Sequence, residues 1–449
     1  MSQEELKESF TAVTRKLFSN PFYIILLTTS IIRNAIYNAI EPFSYLFLRD
    51  IGVSYIRIGL LDLVYSFVII IAVLIGAYFS DLLPYRRSKF AAAHNCCWGI
   101  MCIFYFLATG FWSALVVFVI AGFSWAFFPA ARTYLLEQSG EKYRHFAMGF
   151  FSIYRLPLLL MFLLLLRLIR VRGFVLGMRI AFFFAGFIIV LMGLIRWKFL
   201  TDPPKHLDTP KYNPSLTGMV KDNVKTLRFV WKVAPAFCLI TSFDAMSDQL
   251  YRFLIFFFLN EKAGLSEGDL LTGRLTLDFL TVPLILWLSF RINRSRGRRP
   301  FFLLYLVPTS TVGLLLVSRS HPIIPFIPEY FPIAFTKLAF LAYSIKYVSD
   351  FLWMLILAPL AMSFVSRENA TKAIGISWLL VYFFRLIGAP IAGWLYQSDH
   401  IPFLLFSILA LNCVILLAIV SFNDFNKKGI NNSKGRPLAA EDSGGYSFE

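Results

Sequence analysis

Inside the first long apolar stretch of the chain, Arg33, Tyr37 and Glu41 recur at every fourth position, with Asn34 and Asn38 beside them. That spacing sets the three along one face of a helix. The seventh apolar stretch carries a second stripe, Asp244, Asp248 and Arg252, with the base at the late end instead of the early one. An ionised group at bilayer depth costs at least about 2.5 kcal/mol unless it is paired or wet, so such stripes mark paths for ions or solutes. Glu41 stands out because it precedes Pro42 and has no base three or four residues away in its own stretch. A carboxylate desolvated in a cavity titrates nearer neutrality than one in water, which makes Glu41 the candidate proton carrier. Arg33, Arg155, Arg252 and Arg385 suit an anionic solute, although the acids serve equally well as their counter-ions.

Other charges have a structural explanation. Asp248 with Arg252, Arg274 with Asp278 and Lys346 with Asp350 stand four residues apart, where opposite charges on a helix neutralise one another. Asp62, Arg179 and Lys337 read as side chains that reach an interface. Arg132, near the end of the fourth stretch, is expected to pair with Asp81 or Glu137. The five cysteines, Cys96, Cys97, Cys102, Cys238 and Cys413, lie in apolar runs without CxxC spacing and read as buried apolar side chains, with no disulfide, metal or cofactor expected.

The elements that position these groups follow from composition. Of 449 residues 58% are hydrophobic and only 15% charged, and the apolar residues fall in runs. Runs of roughly 20 residues cross a hydrocarbon core as helices, so the chain reads as an all-α integral membrane protein. About twelve spans are expected, near 20–48, 54–80, 89–110, 112–136, 145–168, 173–197, 234–260, 268–290, 300–318, 336–364, 373–396 and 401–421. The net charge of +17 reads as topology and not as a nucleic-acid surface, because Lys and Arg gather in alternate loops. By that rule both termini are cytoplasmic in a multi-pass protein of the cell membrane. Residues 1–19 form a cytoplasmic segment, 20–197 and 234–421 two six-helix bundles, 198–233 a proline-bearing cytoplasmic linker, and 422–449 a polar, disordered tail.

The halves carry a repeat. Gly52 and Gly264, and the turns at Asp81 and Asn293, match at one offset; Pro129 with Pro359 and Arg155 with Arg385 match at a longer one. The extra residues sit in the proline-rich stretch Ser318 to Pro332. Parallel halves of six helices are one way to build a transporter.

The turn from Gly76 to Lys89, GAYFSDLLPYRRSK, resembles the loop signature of the major facilitator superfamily, Gly-x-x-x-Asp-basic-x-Gly-basic-basic. Asp81 fills the acid and Arg86 the last base; Ala77, Leu82, Pro84 and Tyr85 depart from the pattern. The segments EKYRHFAMG (Glu141 to Gly149), RENATKAIG (Arg367 to Gly375) and GAPIAGWLY (Gly388 to Tyr396) are similar to other turns and helices of that family. The resemblance implies two pseudo-symmetric six-helix bundles, with the first and seventh helices lining a central cavity so that the two stripes face each other. It also implies a gate built from Asp81, Arg86, Arg87 and Arg132, in which Asp81 is a latch; the alternative is that Asp81 only ends its helix in water.

These readings converge on a secondary active transporter moving a small, possibly anionic solute by alternating access with proton coupling. A proton-driven multidrug exporter and a non-transporting membrane sensor are the alternatives. The exporters' GPxxGG signature is replaced here by IYRLPLLL. No Walker phosphate loop appears, and neither HExxH nor GxSxG is present, which argues against an ATPase or a membrane enzyme. The partners expected are the solute, protons and the bilayer, for a monomeric chain that binds no nucleic acid.

Overall fold

In the computed structural model the chain is described at residues 10–83, 86–139, 147, 150–202, 235–292, 299–318, 323, 324, 332–363 and 370–421, and at isolated positions between 218 and 231. Helices cover all twelve stretches marked by hydropathy. A short α1 (Phe10–Phe18) precedes the first half. That half comprises α2 (Pro21–Ile40) continued by α3 (Ser44–Asp50), α4 (Tyr55–Leu82), α5 (Arg87–Leu107), α6 (Phe111–Ser124) continued by α7 (Phe128–Ser139), α8 (Arg155–Arg172) and α9 (Phe174–Phe199). The second half comprises α10 (Pro235–Phe257), α11 (Glu267–Ile292), α12 (Arg299–Ser318), α13 (Leu338–Ser363), α14 (Ala370–Gln397) and α15 (Ile401–Ser421). Among the described residues, seven helices are long and apolar enough to cross a membrane.

Three of the expected spans are interrupted or end irregularly. Pro42 has no N–H to donate, and the first expected span breaks there into a 3₁₀ turn, Glu41–Phe43. The fourth expected span breaks between Ser124 and Phe128, with Pro129 tolerated in the first turn of the helix that resumes. The seventh ends in a π turn, Phe258–Lys262. Gly52 and Gly264, the pair matched in the repeat, both take left-handed backbone just after these helices, with φ of 88° and 69°, a region open to glycine at little cost.

Between lipid-embedded helices there is little hydrophobic driving force, and small residues that let backbones approach do much of the packing. Gly99 of α5 faces Gly186 of α9; a Cβ on either would lie 2.7 Å from the other's carbonyl oxygen. Across the halves, a Cβ on Gly59 of α4 would lie 2.8 Å from the Ala389 carbonyl oxygen of α14, and one on Gly393 would lie 2.9 Å from that of Tyr55. A buried cluster runs through both halves, including Phe43, Phe47, Phe253 and Phe257. Apolar side chains such as Trp112, Phe187, Phe403 and Leu417 are exposed on the outside, a surface suited to lipid.

One expectation changes: only Cys102 and Cys238 are buried, while Cys96 and Cys97 are half-buried and Cys413 is exposed. Helix α8 runs a few residues past the expected end at 168, to Arg172. The basic turn Asn293 to Arg298, most of the linker, and the tail after 421 lie outside the described residues.

Candidate substrate cavity

A cavity of about 490 Å³ lies between the halves, within the range of small-molecule sites. Arg33, Asn34, Tyr37, Asn38 and Glu41 line it from one side, Asp248, Arg252 and Arg385 from the other. The first stripe and, from the second, Asp248 and Arg252 therefore share one chamber. Arg155 is not on its surface; it is 2% exposed and lies between the halves.

The charges pair across helices more than along them. Arg252 forms an ion pair with Glu41 of the opposite half. Asp248 does not pair with Arg252 four residues on. It takes the Arg385 guanidinium of α14, and Lys346 Nζ of α13 lies 3.6 Å from its other oxygen. A helix of 3.6 residues per turn offers an i,i+4 partner, but here the neighbouring helices bring a cation to each acid and the local pair does not form. Lys346 and Asp350 do pair, at 2.7 Å, as do Arg274 and Asp278, at 2.8 Å. Asp278 is shared: Arg155 Nε of the first half lies 3.3 Å from its other oxygen, and Arg155 also donates to the Tyr347 hydroxyl at 3.1 Å. Asp244 sits half-buried on α10, off the cavity surface.

The first-half wall is different in kind. Arg33 donates from Nε (3.1 Å) and Nη2 (2.8 Å) to the Asn34 Oδ1, and from Nη1 to the Asn95 Oδ1 at 3.1 Å. The same Asn95 oxygen accepts from Arg196 Nη1 at 3.1 Å. Arg196, buried, spends its other donors on the Thr29 and Ser30 hydroxyls and on the Leu26 and Ala91 carbonyls. Among the described residues no carboxylate forms an ion pair with Arg33, Arg132 or Arg196. Asp62, expected at an interface, is 4% exposed on the cavity wall, where it accepts from the Tyr45 hydroxyl and from Gln249 Nε2 at 3.0 Å. Its helix face turns inward, so no interface lies within reach.

At the Arg49 end the two halves are tied together by side chains. Arg49 Nη1 reaches Glu261 Oε1 at 2.9 Å and Asn260 Oδ1 at 3.0 Å across the halves. Glu261 also accepts from the Tyr55 hydroxyl and, at 2.9 Å, from Tyr396. The π turn is what places Asn260 and Glu261 there. At the other end Arg87 pairs with Glu137, so the expected pairing of Arg132 with Glu137 is replaced; the Arg132 guanidinium lies 6.0 Å over the Phe128 ring instead. The Ser88 amide donates to Asp202 Oδ1 at 2.7 Å, and Arg86 is exposed. Asp81 falls in the last turn of α4; its side chain lies outside the described residues.

Several residues of this site went unmarked by sequence reasoning: Asn95 and Trp98, being neutral, carry no signal in an apolar helix, and Arg196 stands at the very end of the expected span 173–197, where a base is ordinary. The Arg49–Glu261 contact had one available signal, the 212-residue separation that is also the repeat offset of Gly52 and Gly264.

Two packed helical halves around a charged chamber are an architecture of membrane transporters. The chain belongs to the Major Facilitator Superfamily: it matches the sequence model of that family over residues 22–376. No curated protein sequence matches it. Among solved structures it is similar to the human organic anion transporter MFSD10 (TETRAN), with 14% identity, a TM-score of 0.62, and coverage of 90% of this chain and 99% of that one. That likeness is one of fold.

Proposed function

We propose that this protein is a secondary active transporter that carries a small organic anion by alternating access, coupled to protons, with both termini in the cytoplasm. The observation that supports this reading best is the Glu41–Arg252 ion pair, formed inside the cavity between one half and the other. A proton on Glu41 cancels its charge and leaves the cavity that Arg252 and Arg33 line more positive, which favours an anion. An anion arriving first puts a like charge in the same cavity as Glu41 and makes protonation easier. Binding of the two ligands is thus linked, as a symporter requires, and linkage of this kind is reciprocal. The pair also holds the halves together, so neutralising it biases the equilibrium between their arrangements. The cations of the first-half wall and the organic anion carried by the solved protein of like fold point to the same substrate charge. Asp81, Arg86, Arg87 and Arg132 belong, on this reading, to the gate at the end opposite Arg49.

The test is uptake into proteoliposomes under an imposed proton gradient. Uptake of an organic anion that collapses with a protonophore is expected; binding without flux under any gradient would refute the transport reading.

A further inference from the structure

We infer that the solute is held by a donor-only subsite, with an oxyanion group seated on Arg33 and the indole N–H of Trp98 and an aromatic body lying against Phe128, Trp125 and Tyr382. This rests on the reading of the protein as an anion carrier and names the class of anion. A guanidinium has five N–H donors, and Arg33 spends three of them on the Asn34 and Asn95 oxygens, leaving one on each terminal nitrogen. The Arg33 guanidinium lies 5.9 Å over the Trp98 ring, and both residues line the cavity.

A further observation, independent of Arg33, points to a missing acceptor. The Nε1 of Trp98, a cavity-lining residue, is buried and has no hydrogen-bond partner among the described residues. Buried donors left unpaired are uncommon and call for an explanation. Asn95 is 0% exposed, and its single oxygen accepts from Arg33 and Arg196 at once, which brings two like charges to one neutral atom. That arrangement is unfavourable in a low dielectric without a negative charge close by. An oxyanion supplies both the charge and the acceptor lone pairs. Asn95 acts as a positioning residue, since its oxygen aims Arg33 along the wall.

The body of the solute is set by what adjoins the subsite. His94, fixed by a 3.0 Å contact between Nδ1 and the Ser124 carbonyl, bridges Trp98 (ring centres 6.0 Å apart) to Phe128 (5.7 Å). Phe128 meets Trp125 at 4.6 Å, and Trp125 meets Tyr382 at 5.1 Å. Offset and edge-on packing against such rings favours a planar aromatic group over an aliphatic one.

The experiment is calorimetric titration of the purified full chain with 2-naphthoate, naphthalene-2-sulfonate, acetate and 2-naphthylmethylammonium. Both aryl anions are expected to bind, acetate at least about tenfold more weakly, and the ammonium not at all. Trp98→Phe keeps the ring and removes one N–H; it is expected to weaken aryl anion binding about tenfold, the worth of one hydrogen bond to a charged group. Arg33→Gln is expected to abolish it, and should that variant not fold, Trp98→Phe carries the test alone. Equal binding of acetate and 2-naphthoate, binding of the ammonium, or an unchanged affinity in Trp98→Phe would overturn the inference. Proteoliposomes that move another solute while 2-naphthoate neither binds nor inhibits would overturn it and leave the transport reading standing; 2-naphthoate binding with no flux would do the reverse.

Discussion

Arg49 and Glu261 stand 212 residues apart, the offset that also relates Gly52 to Gly264, and their side chains meet at 2.9 Å. The two halves are thus tied at one end by residues in equivalent positions, close to the axis of their pseudo-symmetry. Each lies just before a left-handed glycine that ends its helix. The repeat has placed a base in one copy and an acid in the other, so the symmetric contact is attractive instead of repulsive.

Loosening this contact should open that end of the chamber. Glu261→Gln weakens the bonds from Arg49, Tyr55 and Tyr396 together. Losing charge assistance worth roughly 1.5 kcal/mol shifts a two-state equilibrium about tenfold. With the native cysteines replaced and Phe256→Cys introduced on the cavity wall, labelling by an impermeant maleimide from the Arg49 side should rise by a comparable factor. An unchanged labelling rate would show that this contact does not hold the end shut.

The contact of α4 with α14 predicts a steric penalty. A Cβ on Gly59 would lie 2.8 Å from the Ala389 carbonyl oxygen, so Gly59→Val should cost about 1–3 kcal/mol as overpacking. Gly313, inside α12, where a Cβ meets nothing within 4 Å, is the control, and Gly313→Ala should not destabilise. Thermal unfolding of both variants in one detergent compares them directly.

The buried cluster at α8, α11 and α13 predicts an asymmetry. Asp278 serves two guanidiniums, Arg155 and Arg274. Asp278→Asn leaves both cations facing a neutral group and should destabilise by about 3–5 kcal/mol, as breaking a buried pair does. Arg155→Met removes one cation of the two and keeps the Arg274–Asp278 pair, so it should cost less. Reversal of that order in thermal unfolding would mean that Arg155 contributes chiefly by packing.

The fold was largely legible because hydropathy in a membrane protein reports directly on helices, and every expected stretch is helical. The stripes were legible for the same reason: Arg33, Tyr37 and Glu41 stay on one face even though Pro42 turns the helix at Glu41. Pairing was not legible wherever it was decided between helices. Asp248 has a base four residues away in its own helix, yet α14 brings Arg385 to it and Arg252 is left to Glu41. Asp62 was misplaced because periodicity alone does not say whether a helix face meets lipid or a chamber. Asn95 and Trp98 carry no charge, so only the three-dimensional arrangement reveals that they stand beside Arg33.

Glu41, held by Arg252, is the group we propose couples the proton to the solute. That role is tested most directly by Glu41→Gln in proteoliposomes, comparing gradient-driven uptake of 2-naphthoate with its exchange at zero gradient. Driven uptake should be lost while exchange persists, because Gln keeps the shape and cannot carry the proton. Driven uptake equal to that of the unmodified protein would contradict that role.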